Sequence, residues 1–111
     1  MRHYHDTEFS LEREVRVVEG RERVSRPAII DGEVMGRMPE RISGNQIITI
    51  LGSYPTATHV SECDAEADVK AGDYILPSGS DGRFEVLDAV PAGHPFAPTH
   101  IDLTLKAESI K

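Results

Sequence analysis

Five histidines and one cysteine are the side chains of this chain best suited to bind a metal or to attack a substrate. His3 and His5 are two residues apart, and His94 and His100 lie on either side of a proline-rich segment. Neither pair has the spacing of a structural zinc site, and Cys63 alone cannot complete one. His100 alternates with apolar neighbours, so we expect it on the surface. The sequence predicts no metal site and no cofactor.

Sequence motifs that carry catalysis are also missing. The chain has no Gly-x-Ser-x-Gly elbow, no glycine-rich phosphate loop and no His-Glu-x-x-His pair. Asp73 follows Gly72 between two apolar segments, where a carboxylate is expected to accept backbone hydrogen bonds within a turn rather than to act as a base. Carboxylates are plentiful, but none has a recognisable catalytic partner. The interpretation is that the protein is not an enzyme.

Length and composition indicate one small domain over residues 1–111. The chain has three Phe, three Tyr and no Trp, so its core must be built mainly from Val, Ile and Leu. Such a core is modest, and association with other copies would add burial.

The cysteine content and the hydropathy of the chain indicate its compartment. One cysteine suits a reducing compartment. The polar start lacks a signal peptide and no apolar run reaches the ~20 residues of a membrane span, so we expect a soluble protein made in the cytoplasm.

The charge is unevenly distributed along the chain. Residues 1–41 hold eight bases, all arginine, and nine acids, a balance of −1, whereas residues 42–111 hold four bases and ten acids, a balance of −6. The total of −7 disfavours tight binding of nucleic acid, which needs clustered cations. The arginines are interpreted either as solvated strand faces or as a polar docking surface.

Short segments with alternating polarity predict strands. The clearest are residues 8–19, where Arg13 interrupts the apolar side, and residues 99–107. Further apolar or β-branched segments between turn residues predict strands at 46–51, 56–61, 74–76 and 84–90. About six strands without a long helix predict an all-β fold, a small antiparallel β-barrel or sandwich, of which we favour the barrel. Residues 108–111 are expected to form a short C-terminal tail.

The least regular segment is Glu33 to Asn45. It contains Gly36, Pro39 and Gly44 together with two methionines, and it predicts one long central loop, with a short strand allowed around residues 33–35. Long loops in small domains are usually functional or disordered.

The order of the segments resembles a known family. Thr58-His59-Val60 is followed by ADVKAGDYIL at 67–76, GRFEVLDA at 82–89, a loop rich in Pro and His, and HIDLTLKA at 100–107. Together they resemble the head-closure, or stopper, proteins of long-tailed bacteriophages, also called head-to-tail connector proteins. The match runs from about Phe9 to Ala107, and its best positions are Asp68, Val69, Gly72, Asp73, Phe84, Val86, His100, Leu103 and Leu105.

This resemblance implies a structural virion protein, assembled in the host cytoplasm. It would form a homo-oligomeric ring of six copies, or twelve, that closes the DNA-filled head and offers the surface to which the tail attaches. Its partners would be an adaptor on the portal side, a tail terminator or tail tube protein, and genomic DNA passing through without sequence-specific binding. Acidic residues at 62, 64, 66, 68 and 73 would face either the channel or the solvent rim and keep DNA from sticking.

Two sets of residues acquire expected roles from the resemblance. An inter-strand loop that obstructs the channel would correspond by position to residues 33–45, with the gating residues Met35, Gly36, Met38, Pro39 and Gly44. Salt links between neighbouring subunits would use the arginines of the N-terminal strands, Arg13, Arg16, Arg21 and Arg23.

Two other functions remain open from the sequence. A neighbouring tail-completion or adaptor subunit is disfavoured by the alternating strands, because such adaptors tend to be helical. A small-barrel cytoplasmic binding module is the other alternative, although the scarcity of aromatic residues is awkward for stacking nucleic-acid bases.

Overall fold

The alternating segments become strands of one antiparallel sheet in a computed structural model that describes residues 5–44, 46–94 and 96–108, without the side chains of residues 46 and 48. The strands are β1 (Thr7–Glu19), β2 (Glu22–Gly36), β3 (Glu40–Arg41), β4 (His59–Asp64), β5 (Tyr74–Pro77), β6 (Phe84–His94) and β7 (Ala97–Ala107), and the helix is α1 (Gln46–Ser53).

Six of the strands close into a ring. The order along the sheet is β2-β1-β5-β6-β7-β4-β3, and Gly36 of β2 also pairs with Cys63 of β4. That pairing joins the two sides of the sheet and leaves β3 as an extra strand on β4. The predicted all-β, antiparallel architecture with six strands around a core is confirmed.

The core is aliphatic with two phenylalanines, as the composition predicted. Alternate residues of β1 and β7 supply much of it, because every second side chain of a strand faces the same side. The buried cluster comprises Phe9, Leu11, Val34, Cys63, Val69, Ile75, Phe84, Val86, Ile101, Leu103 and Leu105. Burying each large apolar side chain contributes roughly 1.5–3 kcal/mol, so these residues hold the ring together.

The strand predicted at residues 46–51 is wrong. The segment forms the two-turn helix α1, within which Ile50 faces Val60 and Leu103 across a cavity. A short apolar run does not distinguish helix from strand by periodicity. The strand predicted at 56–61 begins and ends later, as β4 at His59–Asp64.

The predicted long loop is shorter in the structure. Glu33–Gly36 complete β2, and Glu40–Arg41 form β3, so the irregular part is residues 37–39 and 42–44; Asn45 lies outside the described residues.

Of the predicted C-terminal tail, only Glu108 is described, and its N–H donates to the carbonyl of Arg83 over 3.0 Å; residues 109–111 lie outside the described part. Over the residues that are described, no helix has the length and apolar character to cross a bilayer.

Two hairpins extend beyond the ring. β1 pairs with β5 over residues 9–12, and residues 13–28 continue as a ribbon of β1 and β2 that we call the long arm. β7 pairs with β4 as far as His100, whose partner on β6 is Ala92, and the described residues beyond that pair, 93–94 and 96–99, belong to the tip of the β6–β7 hairpin, here called the short arm. Because β1 and β6 both run antiparallel to β5, the two arms leave the ring at the end where Tyr74 begins β5.

A glycine shapes the short arm. The register shifts between Ala92 and Gly93, and Gly93 has a φ of +102°. A Cβ at this position would lie 2.3 Å from the Thr99 hydroxyl oxygen. A side chain there would therefore meet both backbone strain and a clash, so the bend of this arm depends on glycine.

Candidate functional site

The structure divides the five predicted gating residues between a strand and an exposed segment. Met35 and Gly36 belong to β2, and Gly36 is buried. Met38 and Pro39 lie between β2 and β3, with Met38 exposed, and Gly44 precedes α1. The carbonyl of Gly44 accepts the N–H of Ile47, so it helps to start the helix.

Gly36 occupies the point where the ring closes. A Cβ here would lie 2.4 Å from the Phe9 ring and 2.5 Å from the carbonyl oxygen of Glu62. The next residue, Arg37, donates its N–H to that same carbonyl over 2.9 Å. Gly36 is therefore a position of close backbone approach that fastens β2 to β4.

A cavity of about 400 Å³ lies beside the irregular segment. One wall comes from Arg37, Met38, Glu40 and Ile50, and the other from β4 and β7. The lining residues are Arg37, Met38, Glu40, Ile50, Val60, Ser61, Glu62, Asp102, Leu103 and Thr104. Met38 therefore faces a cavity with both apolar and acidic walls.

Of the four arginines predicted at a subunit interface, Arg13 is engaged within its own chain. Its Nε donates to Asp73 Oδ1 over 2.8 Å and its Nη2 to Asp73 Oδ2 over 2.9 Å and to the carbonyl of Asp68 over 2.7 Å. The hydrogen bond to Asp73 raises the pKa of Arg13 despite partial burial. Arg16, Arg21 and Arg23 lie exposed on the long arm.

Asp73 is the buried member of this network, 2 % exposed. Its Oδ2 also accepts the N–H of Lys70 over 2.8 Å, which confirms the predicted turn role of the carboxylate. A buried carboxylate needs a cation and several donors to offset the loss of water. Arg13 and Lys70 supply both, so the network joins β1 to the loop ahead of β5.

Histidines and carboxylates converge on the face formed by β4 and β7. We call His5, Glu62, Asp64, His100 and Asp102 the histidine–carboxylate cluster. His100 Nε2 lies 3.0 Å from Asp102 Oδ1 and 3.6 Å from Glu62 Oε2. His5 Nε2 lies 3.3 Å from Glu62 Oε1, and its Nδ1 contacts Asp64.

The expectation of a surface position for His100 is wrong. Its side chain does alternate with the inward-facing Ile101, but the residue is only 8 % exposed. Glu62 and Asp102 flank its imidazole, and the Thr99 hydroxyl oxygen lies 2.9 Å from its Nδ1. These neighbours enclose a side chain that alternation alone assigned to solvent.

The acidic stretch proposed to face DNA or solvent is not one surface. Asp73 is buried against Arg13, and the Glu62 side chain is only 13 % exposed. Asp64, Glu66 and Asp68 retain more contact with solvent.

Both arms expose large apolar side chains. On the long arm Val18 is 70 % exposed, and Ile29 at its base is 55 % exposed; on the short arm Phe96 is 92 % exposed, and Val90 at its base is 48 % exposed. Scattered exposed apolar residues are ordinary, but here they concentrate on two hairpins that leave the ring at the same end. The sequence does not mark these residues, because alternation identifies the core face of a strand and not which part of the strand extends beyond the body.

Cys63 is buried in the core, and burial, together with the neighbouring Asp64 and Glu62 carboxylates, raises the pKa of its thiol to about 12. Compared with the usual value of 9.0, this lowers the thiolate fraction near pH 8 about a thousandfold. We expect a disulfide reagent to label the native protein very slowly and the urea-unfolded protein at the rate of a free thiol. Fast labelling under native conditions would contradict this placement of Cys63.

Comparisons with protein families, with curated proteins and with solved structures found no match to this chain.

Proposed function

We propose that this chain is a structural subunit of a ring at the head–tail connection of a long-tailed bacteriophage, where it closes the DNA-filled head and offers a surface to the tail. The proposal rests on the resemblance of the sequence and on one structural observation. Two hairpin arms leave the six-strand ring at the same end, and both expose apolar side chains. The protein acts as an assembly component rather than as an enzyme.

The long arm gives the physical reason for association. A two-stranded hairpin is marginally stable at best in water. Val15, Val17 and Val24 share one face of this ribbon and are half-buried, while Val18 is exposed on the other face, as is Ile29 at the base of the ribbon. A neighbouring subunit that covers the arm would bury both faces.

Such a contact joins one surface of a subunit to a different surface of the next. Repeated head-to-tail contacts close into a ring when the rotation permits, and six copies, or twelve, fit the family that the sequence resembles. Arg16, Arg21 and Arg23 would provide polar contacts around the exposed apolar side chains of the long arm. Phe96 on the short arm would meet the adaptor on the portal side or the tail protein.

The charge of the chain and its irregular segment support the proposed channel function. A net charge of −7 disfavours the retention of DNA phosphates, as a passage for DNA requires. Met35 and Gly36 are held in β2, so gating would fall to residues 37–44, with Met38, Pro39 and Gly44 as the residues that move.

Placing charges on both arms tests the proposal. Val18→Asp combined with Phe96→Asp should weaken ring assembly at least tenfold, because a carboxylate in a buried apolar contact costs more than the contact contributes. Native mass spectrometry of the chain mixed with its adaptor measures the ring directly. The free energy of unfolding should change by less than about 0.5 kcal/mol, since both positions are exposed.

Ile47→Asp is the matched control, because Ile47 is an exposed apolar residue on α1, away from both arms. It should assemble as the native chain does. The proposal would be contradicted if the native chain stayed monomeric when mixed with its adaptor. It would also be contradicted if the arm variant assembled as well as the control.

A further inference from the structure

We propose that the face formed by β4 and β7 binds a divalent transition-metal ion such as Zn²⁺, with Glu62, His100 and Asp102 as its ligands. The inference is independent of the ring proposal, because it rests on side chains at the body of the sheet rather than on the arms.

The strand register places two carboxylates, Glu62 and Asp102, directly opposite each other. Glu62 of β4 is paired with Asp102 of β7, and Asp64 is paired with His100. Like charges in direct cross-strand pairs destabilise a sheet. A cation between Glu62 and Asp102 would convert this repulsion into attraction.

The distances fit a metal centre. One ligand atom from each of Glu62, His100 and Asp102 lies within 4.8 Å of the others. Ligand atoms bound at about 2.1 Å in tetrahedral or octahedral geometry lie roughly 3.0–3.5 Å apart. The 3.0 Å and 3.6 Å separations from His100 Nε2 to the two carboxylates are close to that range, so small side-chain adjustments suffice.

Neighbouring groups hold the ligands in position. The contact of His100 Nδ1 with the Thr99 hydroxyl, 2.9 Å, fixes the ring and directs Nε2 toward the carboxylates. The other oxygen of Glu62, Oε1, lies 3.3 Å from His5 Nε2 and 3.9 Å from an Arg37 nitrogen. Both groups orient Oε2 toward His100, as outer partners do for metal ligands.

Solvent reaches the ligands from one side. The Asp102 side chain is 61 % exposed, whereas those of His100 and Glu62 are mostly buried. Glu62 and Asp102 also line the 400 Å³ cavity. An ion can therefore enter past Asp102 and meet two ligands that are already fixed.

The donor set selects the type of metal. An imidazole nitrogen with two carboxylates suits zinc and other late first-row ions, whereas Mg²⁺ and Ca²⁺ prefer oxygen ligands alone. Zn²⁺ is therefore the probe, and Mg²⁺ and Ca²⁺ are the comparison ions.

Calorimetric titration of untagged protein with Zn²⁺ tests the proposal. All variants carry His3→Ala, so that this histidine cannot contribute binding of its own. We expect one Zn²⁺ per chain, with affinity lowered about 10–100-fold by His100→Gln and by Glu62→Gln. His94→Gln is the matched control, because His94 lies on the short arm, and it should leave the affinity unchanged.

Asp102→Asn keeps the test valid if a variant at a buried ligand does not fold, because Asp102 is exposed and its removal should not unfold the chain. It too should weaken Zn²⁺ binding at least tenfold and reduce the rise in melting temperature that Zn²⁺ produces. Failure of Zn²⁺ to bind, equal binding of Mg²⁺ and Zn²⁺, or equal losses in His94→Gln and His100→Gln would each overturn the proposal.

Discussion

Replacing Gly36 with alanine is expected to lower the free energy of unfolding by about 3 kcal/mol, and replacing it with valine should prevent stable folding. The new Cβ would lie 2.4 Å from the Phe9 ring, which is fully buried and has no room to move aside. It would also lie 2.5 Å from the carbonyl of Glu62, a backbone atom of the strand to which β2 must pair. Relief of the clash therefore requires the ring to open between β2 and β4.

Urea unfolding followed by far-ultraviolet circular dichroism measures this effect. The melting temperature of Gly36→Ala should fall by roughly 10 °C or more. Gly32→Ala is the matched control, because a Cβ at Gly32 has nothing within 4 Å and the residue is also in β2. If Gly36→Ala and Gly32→Ala are equally stable, Gly36 is not the residue that closes the ring.

The core strands could be predicted from the sequence because alternation is a local property. Phe9 and Leu11 in β1, and Leu103 and Leu105 in β7, are spaced by two residues and face the core together. A side-chain period of two requires only an extended backbone with one buried face. The all-β class follows from such segments without knowledge of which strand pairs with which.

The helix α1 could not be predicted from the same property. Its segment is rich in β-branched residues, which favour strands by propensity. Yet the edge of β4 near its start is already occupied by β3, where Glu40 pairs with Val60. Packing against neighbouring elements overrides a weak local preference, and no local pattern reports which sheet edges are free.

The histidine–carboxylate cluster depends on the register of distant strands. Alternation alone places His100 and Asp102 on one side of their strand, so two of the three proposed ligands could be placed on a common face from the sequence. Glu62 and His5 join them only because β4 pairs with β7 and the chain ahead of β1 reaches β4. Metal-site spacing rules describe local motifs and do not detect ligands assembled across a sheet.

Arg13 is another residue whose partner depends on the fold. The sequence marks it as an interruption of an apolar strand face, and the resemblance assigns it to a subunit interface. Within the chain its partner, Asp73, is 60 residues away in sequence. A charged residue on an apolar face indicates a partner, but its identity depends on the fold.

Arg13→Met is expected to destabilise the protein by about 3 kcal/mol, because it leaves Asp73 charged, buried and without its cation. Asp73→Asn should cost less, since the amide keeps the shape and the exposed side of Arg13 can be solvated. The double variant should be more stable than the sum of the single losses predicts, since each single change removes the same interaction. Urea unfolding of the four proteins gives this coupling free energy.

Arg26→Met is the matched control for the arginine. Arg26 also forms a two-bond pair, with Glu19 at 2.9 and 3.0 Å, but both side chains are more than half exposed. Water screens such a pair, so its loss should change the stability by less than about 1 kcal/mol. Added salt should weaken the Arg26 pair and leave the Arg13 pair nearly unchanged, because buried charges are screened less. Equal losses in Arg13→Met and Arg26→Met would mean that Asp73 does not depend on Arg13, and the link between β1 and the loop before β5 would have to come from apolar packing instead.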